Sequence, residues 1–170
     1  MSAANKESVL TDNIKKVFID DIIETNVYRG EVTHCVLKRS LRSICNFLKT
    51  DPDLKMNYLV DVLGVDMEPL KPDSPRFEVV YHLYSTSKKH RIRLKIRLAD
   101  GESAPTVSDI WSAANWPECE AYDMFGIVFD DHPDLKRIYL EDDWEGFPLR
   151  KDYPLKGFKD KYNPFGEERE

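Results

Sequence analysis

The chain has 170 residues, of which 41% are hydrophobic and 33% charged, and its formal net charge at pH 7 is −6. This length and composition predict one soluble globular domain with an appendage, because two ordinary domains need a longer chain. The negative charge argues against a general nucleic-acid binder, since affinity for phosphate backbones depends on an excess of lysine and arginine. The longest apolar run, residues 58–65, is interrupted by Asp61, so no transmembrane helix is predicted.

The N-terminal residues lack the basic flank and apolar stretch of a secretory signal, so we expect the protein to stay in the cytoplasm or to face it. Cys35, Cys45 and Cys119 are widely spaced and form no C-x-x-C pair of the kind that binds zinc or an iron–sulfur cluster. We therefore expect them to be reduced packing residues. The sequence also lacks the glycine-rich motifs of nucleotide-binding loops and the G-x-S-x-G motif of serine hydrolases.

Hydrophobic periodicity predicts two helices and two strands in the first third of the chain. The apolar residues with helical spacing are Leu10, Ile14, Val17 and Phe18, and then Leu41, Ile44, Cys45 and Leu48. Residues 21–28 and 31–37 are typical of strands joined by a tight turn at Arg29 and Gly30. The second helix is expected to end before Asp51, because a residue that precedes proline disfavours helix.

The middle of the chain predicts three more strands. Residues 57–66 indicate a buried strand and residues 69–75 a proline-rich loop. Residues 77–85 and 91–98 indicate a hairpin, since the second arm alternates strictly between apolar and basic side chains. Residues 99–106 indicate a polar link and residues 107–114 a short helix. The order of elements predicts an α+β fold in which an antiparallel or mixed sheet of about five strands carries helices mainly on one face, similar to a ferredoxin-like arrangement.

A short acidic helix is predicted between Asn115 and Gly126. Asn115 as N-cap with Glu118 at N3 fits a capping box, and Gly126 fits the residue that ends a helix. We expect its carboxylates to hold the loop that follows, through basic residues of that loop. The alternative is a metal or acid–base site that also uses an imidazole. The residues in question are Glu118, Glu120, Asp123, His132, Lys136 and Arg137.

Basic residues on the hairpin leave two interpretations open. Lys88 and Lys89 precede a ladder formed by Arg91, Arg93, Lys95 and Arg97. The ladder indicates either a cationic face that docks an acidic protein surface, or an ordinary solvated strand face that resists edge aggregation. RNA is less favoured, because the aromatic residues that could stack on bases lie elsewhere in the chain. For His82 and His90 we expect surface positions.

Residues 127–170 combine aromatic side chains with scattered glycine and proline and show no helical or strand period. A segment of this length without secondary structure is uncommon inside a domain, and its aromatic content is too high for ordinary disorder. We therefore predict a globular domain at residues 1–126 and an extended arm at residues 127–170 that is ordered by a partner protein.

The residues around this boundary also resemble one family. They are Glu118, Glu120, Asp123, Met124-Phe125-Gly126, His132-Pro133, Lys136-Arg137-Ile138 and Pro148-Leu149-Arg150-Lys151-Asp152-Tyr153. This order resembles the signature of the C subunit of the proton-pumping NADH:quinone oxidoreductase, bacterial respiratory complex I. The family usually has arginine where this chain has Cys119. We expect residue 119 to be exposed in the first turn of its helix, so that replacing Cys119 with arginine is nearly neutral.

The resemblance implies a structural subunit that has no catalytic, cofactor-binding or metal-binding residue of its own. The assembly would transfer electrons from NADH through FMN and iron–sulfur centres to quinone and couple this transfer to proton translocation. The expected partners are other peripheral-arm subunits, first the hydrogenase-large-subunit-like subunit of the quinone module, with no nucleic acid. The chain would touch the membrane only through the complex, on the cytoplasmic face of the inner membrane.

Two alternatives from other classes remain. One is a small metal-dependent or acid–base enzyme that uses Glu120, Asp123 and His132. The other is a basic-faced interaction module of a related hydrogenase-type complex. The sequence also leaves open whether the parent complex uses NADH or is fed by ferredoxin.

Overall fold

The computed structural model describes residues 3–68, 74–159 and 163–168, so most of the loop predicted at residues 69–75 lies outside the described residues. The helices are α1 (Ala3–Phe18), α2 (Leu41–Thr50) and α3 (Asn115–Phe125). The main strands are β1 (Ile22–Tyr28), β2 (Glu31–Val36), β3 (Tyr58–Asp66), β4 (Phe77–Ser85) and β5 (His90–Leu98). No helix in these ranges is long and apolar enough to cross a bilayer.

The five main strands form one mixed sheet with the order β1-β2-β5-β4-β3. Strands β2 and β5 are parallel, and the other neighbouring pairs in this sheet are antiparallel. Arg29 and Gly30 connect β1 to β2 with φ angles of 52° and 79°, as a type I′ turn requires. The predicted α+β fold with about five strands is confirmed.

The core lies between one face of the sheet and the helices. Ile92, Leu94, Ile96 and Leu98 of β5 are buried, and they pair in register with Leu83, Tyr81, Val79 and Phe77 of β4. The predicted apolar stripes of α1 and α2 join this cluster through Leu10, Ile14, Leu41, Ile44, Cys45 and Leu48. Each such side chain contributes roughly 1.5–3 kcal/mol when it is fully buried. The opposite face of β5 carries the basic ladder, so the predicted alternation is confirmed.

The segment before α3 differs from the predicted polar link and short helix. Ala104–Pro105 (β6) pairs in parallel with Phe129–Asp130 (β7), and only Ser112–Ala114 of the expected helix is helical, as a 3₁₀ turn. The consecutive residues Ile110 and Trp111 are both buried, and Trp111 Nε1 donates to Met56 O at 3.0 Å. A turn takes the place of the helix, and Ile110 N and Trp111 N both donate to Val107 O, at 3.0 and 2.9 Å.

The first residues after α3 contribute to the same core. Ile127 and Phe129 are each 2% exposed, and both belong to the hydrophobic cluster under the sheet. The division of the chain at residue 126 stays a prediction.

Cysteine and histidine positions complete the comparison with the sequence. Cys35, Cys45 and Cys119 are all free and buried, which confirms them as packing residues. The surface position predicted for His90 is wrong, because this residue is only 8% exposed and its Nε2 lies 2.9 Å from Leu54 O. The buried His90 ring on β5 thereby binds the loop that follows α2.

We expect Gly64→Ala in β3 to destabilise the protein by about 1–3 kcal/mol, as overpacking of a core does. A Cβ atom at Gly64 would lie 2.7 Å from Cδ2 of Phe125 and 3.2 Å from Cδ1 of Ile127. Urea unfolding measures the change, and the double variant Gly64→Ala/Phe125→Leu should lose less than the sum of the two single variants. Strictly additive losses would contradict this contact.

Candidate functional site

The start of α3 does not have the predicted capping box. The 3₁₀ turn runs directly into α3, so the N-cap position is Ala114, whose φ and ψ of −72° and −22° are helical and whose side chain caps nothing. Glu118 instead turns into the core. Its Oε1 accepts a hydrogen bond from Val107 N at 2.8 Å, and its Oε2 accepts one from the Thr106 hydroxyl. Glu118 therefore binds the loop that precedes α3 and does not cap the helix.

Glu118 is fully buried, and burial raises the pKa of its carboxyl to about 7 against the opposing effect of the hydrogen bonds from Thr106 and Val107. The Thr106 hydroxyl also lies 2.8 Å from Ser108 Oγ. A hydroxyl has one proton, so Thr106 donates either to the Glu118 carboxylate or to Ser108. When Glu118 is protonated, its proton points to Thr106 and the Thr106 proton points to Ser108.

His132 connects the loop after β7 to the first turn of α3. Its Nδ1 accepts from Asp134 N at 3.2 Å, so the ring proton sits on Nε2, which donates to Asn115 O at 3.2 Å. The same Nε2 lies 3.8 Å from Glu118 Oε2 and 4.0 Å from Cys119 Sγ. His132 is therefore a structural histidine beside a buried carboxyl.

Cys119 is fully buried, so the expected exposed position is wrong. Its Sγ donates to Asp134 O at 3.5 Å. The loop at residues 132–134 folds back over the first turn of α3 and covers the Cys119 side chain.

Asp123, at the other end of α3, is the anchor of the arm. Its Oδ2 accepts from three consecutive backbone N–H groups, those of Ile138, Tyr139 and Leu140, at 2.9, 2.8 and 3.2 Å. Its Oδ1 accepts from Arg137 Nη1 at 2.8 Å. Burial alone would raise the pKa of Asp123, but these hydrogen bonds hold it below its usual range. The predicted contact between an acidic residue of α3 and Arg137 is present.

Arg137 extends this anchor into the next part of the chain. Its Nη2 donates to Trp144 O at 3.1 Å and to Gly146 O at 3.2 Å, and its guanidinium lies 5.2 Å from the centre of the Phe147 ring. Its side chain is 13% exposed. One side chain thus organises residues 144–147, which have no regular secondary structure.

A second set of charged contacts, the Arg76 cluster (Asp66, Arg76, Asp100, Arg150 and Asp152), holds the arm further on. Arg76, with a 12% exposed side chain, pairs with Asp66 at 3.0 Å, Asp100 at 2.9 Å and Asp152 at 2.8 Å. Arg150 pairs with Asp100 at 2.7 Å and with Asp152 at 3.3 Å.

Two further contacts complete the Arg76 cluster. Lys151 N donates to the buried carboxylate of Asp66 at 2.9 Å, and both guanidinium groups lie 5.2 Å from the centre of the Phe77 ring. Burial would raise the pKa of Asp66, but the bonds from Arg76 and Lys151 hold it below its usual range. The arm is fastened to the end of β3 and the start of β4 by charge.

The other residues of the family signature have smaller roles. Glu120 is exposed and accepts from the Tyr139 hydroxyl at 3.3 Å. Lys136 pairs with Asp134 at 2.6 Å rather than with an acid of α3. Gly126 ends α3 at a φ of 77°, as predicted.

Among the last signature residues, Pro148 and Tyr153 are partly buried, whereas Pro133 and the side chain of Lys151 are exposed. Leu149 is 49% exposed, and its N–H donates to Met124 O at 3.1 Å.

Sequence reasoning missed Asp66, Arg76, Asp100 and Thr106. The sequence gives one local indication of the Arg76 cluster: Asp66 ends one predicted strand, and Arg76 immediately precedes the next.

The alternative metal or acid–base site is not supported by the geometry. Both oxygens of Asp123 are occupied by donors, Glu120 points to solvent, and His132 faces Glu118 and Cys119. No group of three or more His, Cys, Asp and Glu side chains within the described ranges is placed to hold a metal ion. What this arrangement does is attach an irregular arm to a folded domain.

The raised pKa of Glu118 predicts that its contribution to stability is present at acidic pH and is lost as the pH rises toward and through about 7. The native state binds this proton more tightly than the unfolded chain, by up to about 3 kcal/mol. Relative to Glu118→Gln, which keeps the shape, the wild-type protein should therefore lose stability between about pH 5 and pH 8. Urea unfolding of both proteins over this range checks it, and parallel pH profiles would contradict it.

We expect Asp123→Asn to cost about 3–5 kcal/mol, because the amide keeps one acceptor oxygen, loses the negative charge and turns an NH2 donor toward either Arg137 or the N–H groups of residues 138–140. Glu120→Gln on the same helix is the matched control and should stay within about 0.5 kcal/mol, because that carboxylate is exposed. Thermal melts compare the two. Hydrogen exchange should increase at residues 138–140 in Asp123→Asn alone, and unchanged exchange there would argue against the anchor.

We expect Cys119→Arg to destabilise the protein by at least about 2 kcal/mol more than Cys119→Ala, because an arginine does not fit beside His132 and Asp134 without opening the loop. This reverses the expectation from the sequence, since residue 119 is fully buried. Thermal melts of the two variants give the difference. Equal melting temperatures would show that the loop at residues 132–134 moves aside at no cost.

Comparisons with known proteins are consistent with this geometry. Residues 35–159, most of the chain, match the sequence model of the family "Respiratory-chain NADH dehydrogenase, 30 Kd subunit". The match contains β3, β4, β5 and α3 and extends through the Arg76 cluster.

Several curated relatives are similar over most of their length. The second C subunit of the NADH-quinone oxidoreductase of Rhizobium etli (strain CIAT 652) is 47% identical over 155 residues, which cover 91% of this chain and 81% of the relative. The protein of the same name from Rhizobium meliloti (strain 1021) is 55% identical over 139 residues, 82% of this chain and 75% of the relative. The NADH-quinone oxidoreductase C subunit of Geotalea uraniireducens (strain Rf4) is 47% identical over 156 residues, 91% of each chain.

A solved structure has the same fold. A chain of the membrane-bound sulfane sulfur reductase, described as an archaeal respiratory membrane complex, superposes with a TM-score of 0.71. The superposition covers 89% of this chain and 86% of that one at 24% sequence identity. On the family match and the identity to its curated relatives, this chain belongs to the family of the 30 Kd subunit of the respiratory-chain NADH dehydrogenase.

Proposed function

We propose that this chain is a structural subunit of a proton-translocating NADH:quinone oxidoreductase and carries no redox group itself. Family membership and the names of its relatives support the assembly. The observation that supports a structural role is the arm, which the Asp123 anchor and the Arg76 cluster hold on the surface of the domain. The complex as a whole would transfer electrons from NADH through FMN and iron–sulfur centres to quinone.

The exposed side of the arm supports a protein partner. Large apolar side chains face solvent along it, namely Tyr139 at 67%, Leu149 at 49%, Leu155 at 102% and Phe165 at 86% exposure. Aromatic residues are enriched in the buried centres of interfaces. We propose that this side docks on the hydrogenase-large-subunit-like subunit of the quinone module. The contacts up to residue 152 position the arm on its own domain. The partner would cover the apolar side chains of the arm that remain exposed.

The chemistry of the chain supports a role without cofactors. Asp66, Glu118 and Asp123 are the buried acids at this site, and each is used by donors of the chain itself. Cys119 faces Asp134 and His132 rather than another cysteine. We propose that the chain binds no FMN, iron–sulfur cluster or metal, and that it lies at the cytoplasmic face of the membrane through its partners.

The experiment is native purification of the complex through a tag on this chain, with two truncations compared. Truncation after Tyr153 keeps the Arg76 cluster, so we expect a melting temperature close to that of the full chain but loss of the neighbouring subunits. Truncation after Leu140 removes Arg150 and Asp152 as well, so it should also lower the melting temperature. Mass spectrometry identifies the recovered subunits, and absorption and elemental analysis of the chain alone should show neither chromophore nor stoichiometric metal.

Two results would contradict the proposal. Recovery of both truncations with their neighbours at full stoichiometry would show that the part of the arm after Leu140 does not attach the subunit. A visible chromophore in the isolated chain would overturn the structural role.

A further inference from the structure

The face of the sheet opposite the helices carries an apolar strip. Tyr58, Val60 and Leu63 of the edge strand β3 are 52%, 54% and 41% exposed. Tyr58 pairs in register with Tyr84 and Leu63 with Val80, on the side away from the core pairs. Asp61, opposite His82, interrupts this strip between Val60 and Leu63. Single apolar residues on a surface are normal, but several large ones along one strand are typical of an interaction site.

A cleft lies next to this strip. It has a volume of about 180 Å³ and lies between β2, β5, β4 and β3. The side chains that give it its chemistry are Glu31, Val60, His82, Tyr84, Arg91 and Arg93. A floor of aromatic and aliphatic groups with a few charged ones at the rim suits one inserted side chain.

The charge of the cleft follows from its ion pairs. Arg93 pairs with Glu31 at 2.8 Å, and Arg91 approaches the same carboxylate only at 3.6 Å. Burial and the neighbouring Arg93 lower the pKa of His82 against the opposing effect of Asp61 and Glu31. Arg93 therefore holds the Glu31 carboxylate and Arg91 is left with the looser contact, while Asp61, which pairs in register with His82, places a second carboxylate on the same face of the sheet.

Lys95 and Arg97, the other two basic residues of the ladder, are more closely paired with carboxylates than Arg91 is. Glu78 pairs with Lys95 at 2.7 Å and with Arg97 at 3.4 Å, and Arg97 also pairs with Glu24 at 3.0 Å. Lys95 and Arg97 therefore agree with the interpretation of the ladder as an ordinary solvated strand face. Arg91 differs, because its side chain is 66% exposed and, in the described part of the chain, Glu31 is its one carboxylate within 4 Å.

Arg91 is also held in position for a ligand. Its guanidinium lies 5.9 Å from the centre of the Tyr84 ring, on the side of the cleft. Arginine stacked on tyrosine beside an apolar strip matches the residue types that dominate binding energy at interfaces.

Strand addition does not suit this edge. The register of β3 shifts between Leu59 and Asp61, and a bulge with an adjacent charged residue discourages a further strand from pairing. Recognition here therefore depends on side chains rather than on main-chain hydrogen bonds.

We propose that the apolar strip and its cleft form a second docking surface, and that its occupant is a segment of a neighbouring subunit that presents a carboxylate next to an apolar side chain. The carboxylate pairs with Arg91, and the apolar side chain covers Val60 and Leu63. This inference rests on the proposed function, since it requires a neighbouring subunit, and it names a surface on the opposite face of the sheet from the helices.

Photo-crosslinking in the assembled complex tests the surface without destabilising substitutions. A benzoyl-phenylalanine at position 58 or 63 should crosslink to another subunit, whereas the same residue at Val17, which is 57% exposed on α1, is the control and should not. A product of twice the mass of this chain would assign the surface to a second copy and overturn the proposal. Absence of any product from positions 58 and 63 would also overturn it.

Charge variants test the carboxylate. Arg91→Glu should lower the crosslink yield from position 63 about tenfold, whereas Arg91→Lys keeps most of it. Arg39→Glu is the matched control, because Arg39 is 75% exposed and its pair with Asp21 has the same 3.6 Å length. Equal yields from Arg91→Glu and Arg39→Glu would exclude the acidic partner. If the wild-type chain is not recovered with other subunits, the proposed function fails; if it is recovered and no crosslink forms, only this inference fails.

Discussion

One buried carboxylate determines the direction of the chain after α3. Asp123 has no exposed surface, and an unpaired charge in that position is strongly destabilising, so its donors have to be in place when the protein is folded. Those donors are consecutive backbone N–H groups and Arg137. A single side chain therefore replaces the hydrogen bonds that a helix or strand would supply, and an irregular segment acquires one conformation.

The Arg76 cluster applies the same physics to the next part of the arm. Its acids differ in burial, since the side chain of Asp66 is not exposed whereas those of Asp100 and Asp152 are about half exposed. Exposed pairs contribute little, at about 0–1 kcal/mol each. The contribution of the cluster therefore depends mainly on Asp66, where one buried carboxylate binds both Arg76 and the backbone of Lys151.

The parts of the structure that the sequence predicted are those governed by near neighbours. Alternation in β5 and helical spacing in α2 depend on residues two to four positions apart, and both are confirmed. The capping box at Asn115 and Glu118 used the same local logic and is wrong, because the donors to Glu118 come from Thr106 and Val107 in the preceding loop. A local sequence pattern does not identify a hydrogen-bond donor that the fold brings from another part of the chain. The anchors of the arm show the same limit more strongly. Arg137 follows the acidic helix within the same dense motif and its predicted contact with that helix is confirmed, whereas no pattern predicts the contact of Asp66 with Lys151, 85 residues away. A position near the start of a helix predicts an exposed side chain, but Cys119 is buried because the loop at residues 132–134 covers it.

The separation of 85 residues between Asp66 and Lys151 also has a kinetic consequence. Closing a long loop costs more chain entropy than closing a short one, so we expect this contact to form after the hairpin of β4 and β5. Asp66 lies at the end of β3, Arg76 just before β4 and Asp100 just after β5, so the three residues come together only when these strands pair. The arm therefore meets all of its partners in the Arg76 cluster only on a sheet whose strands are already paired.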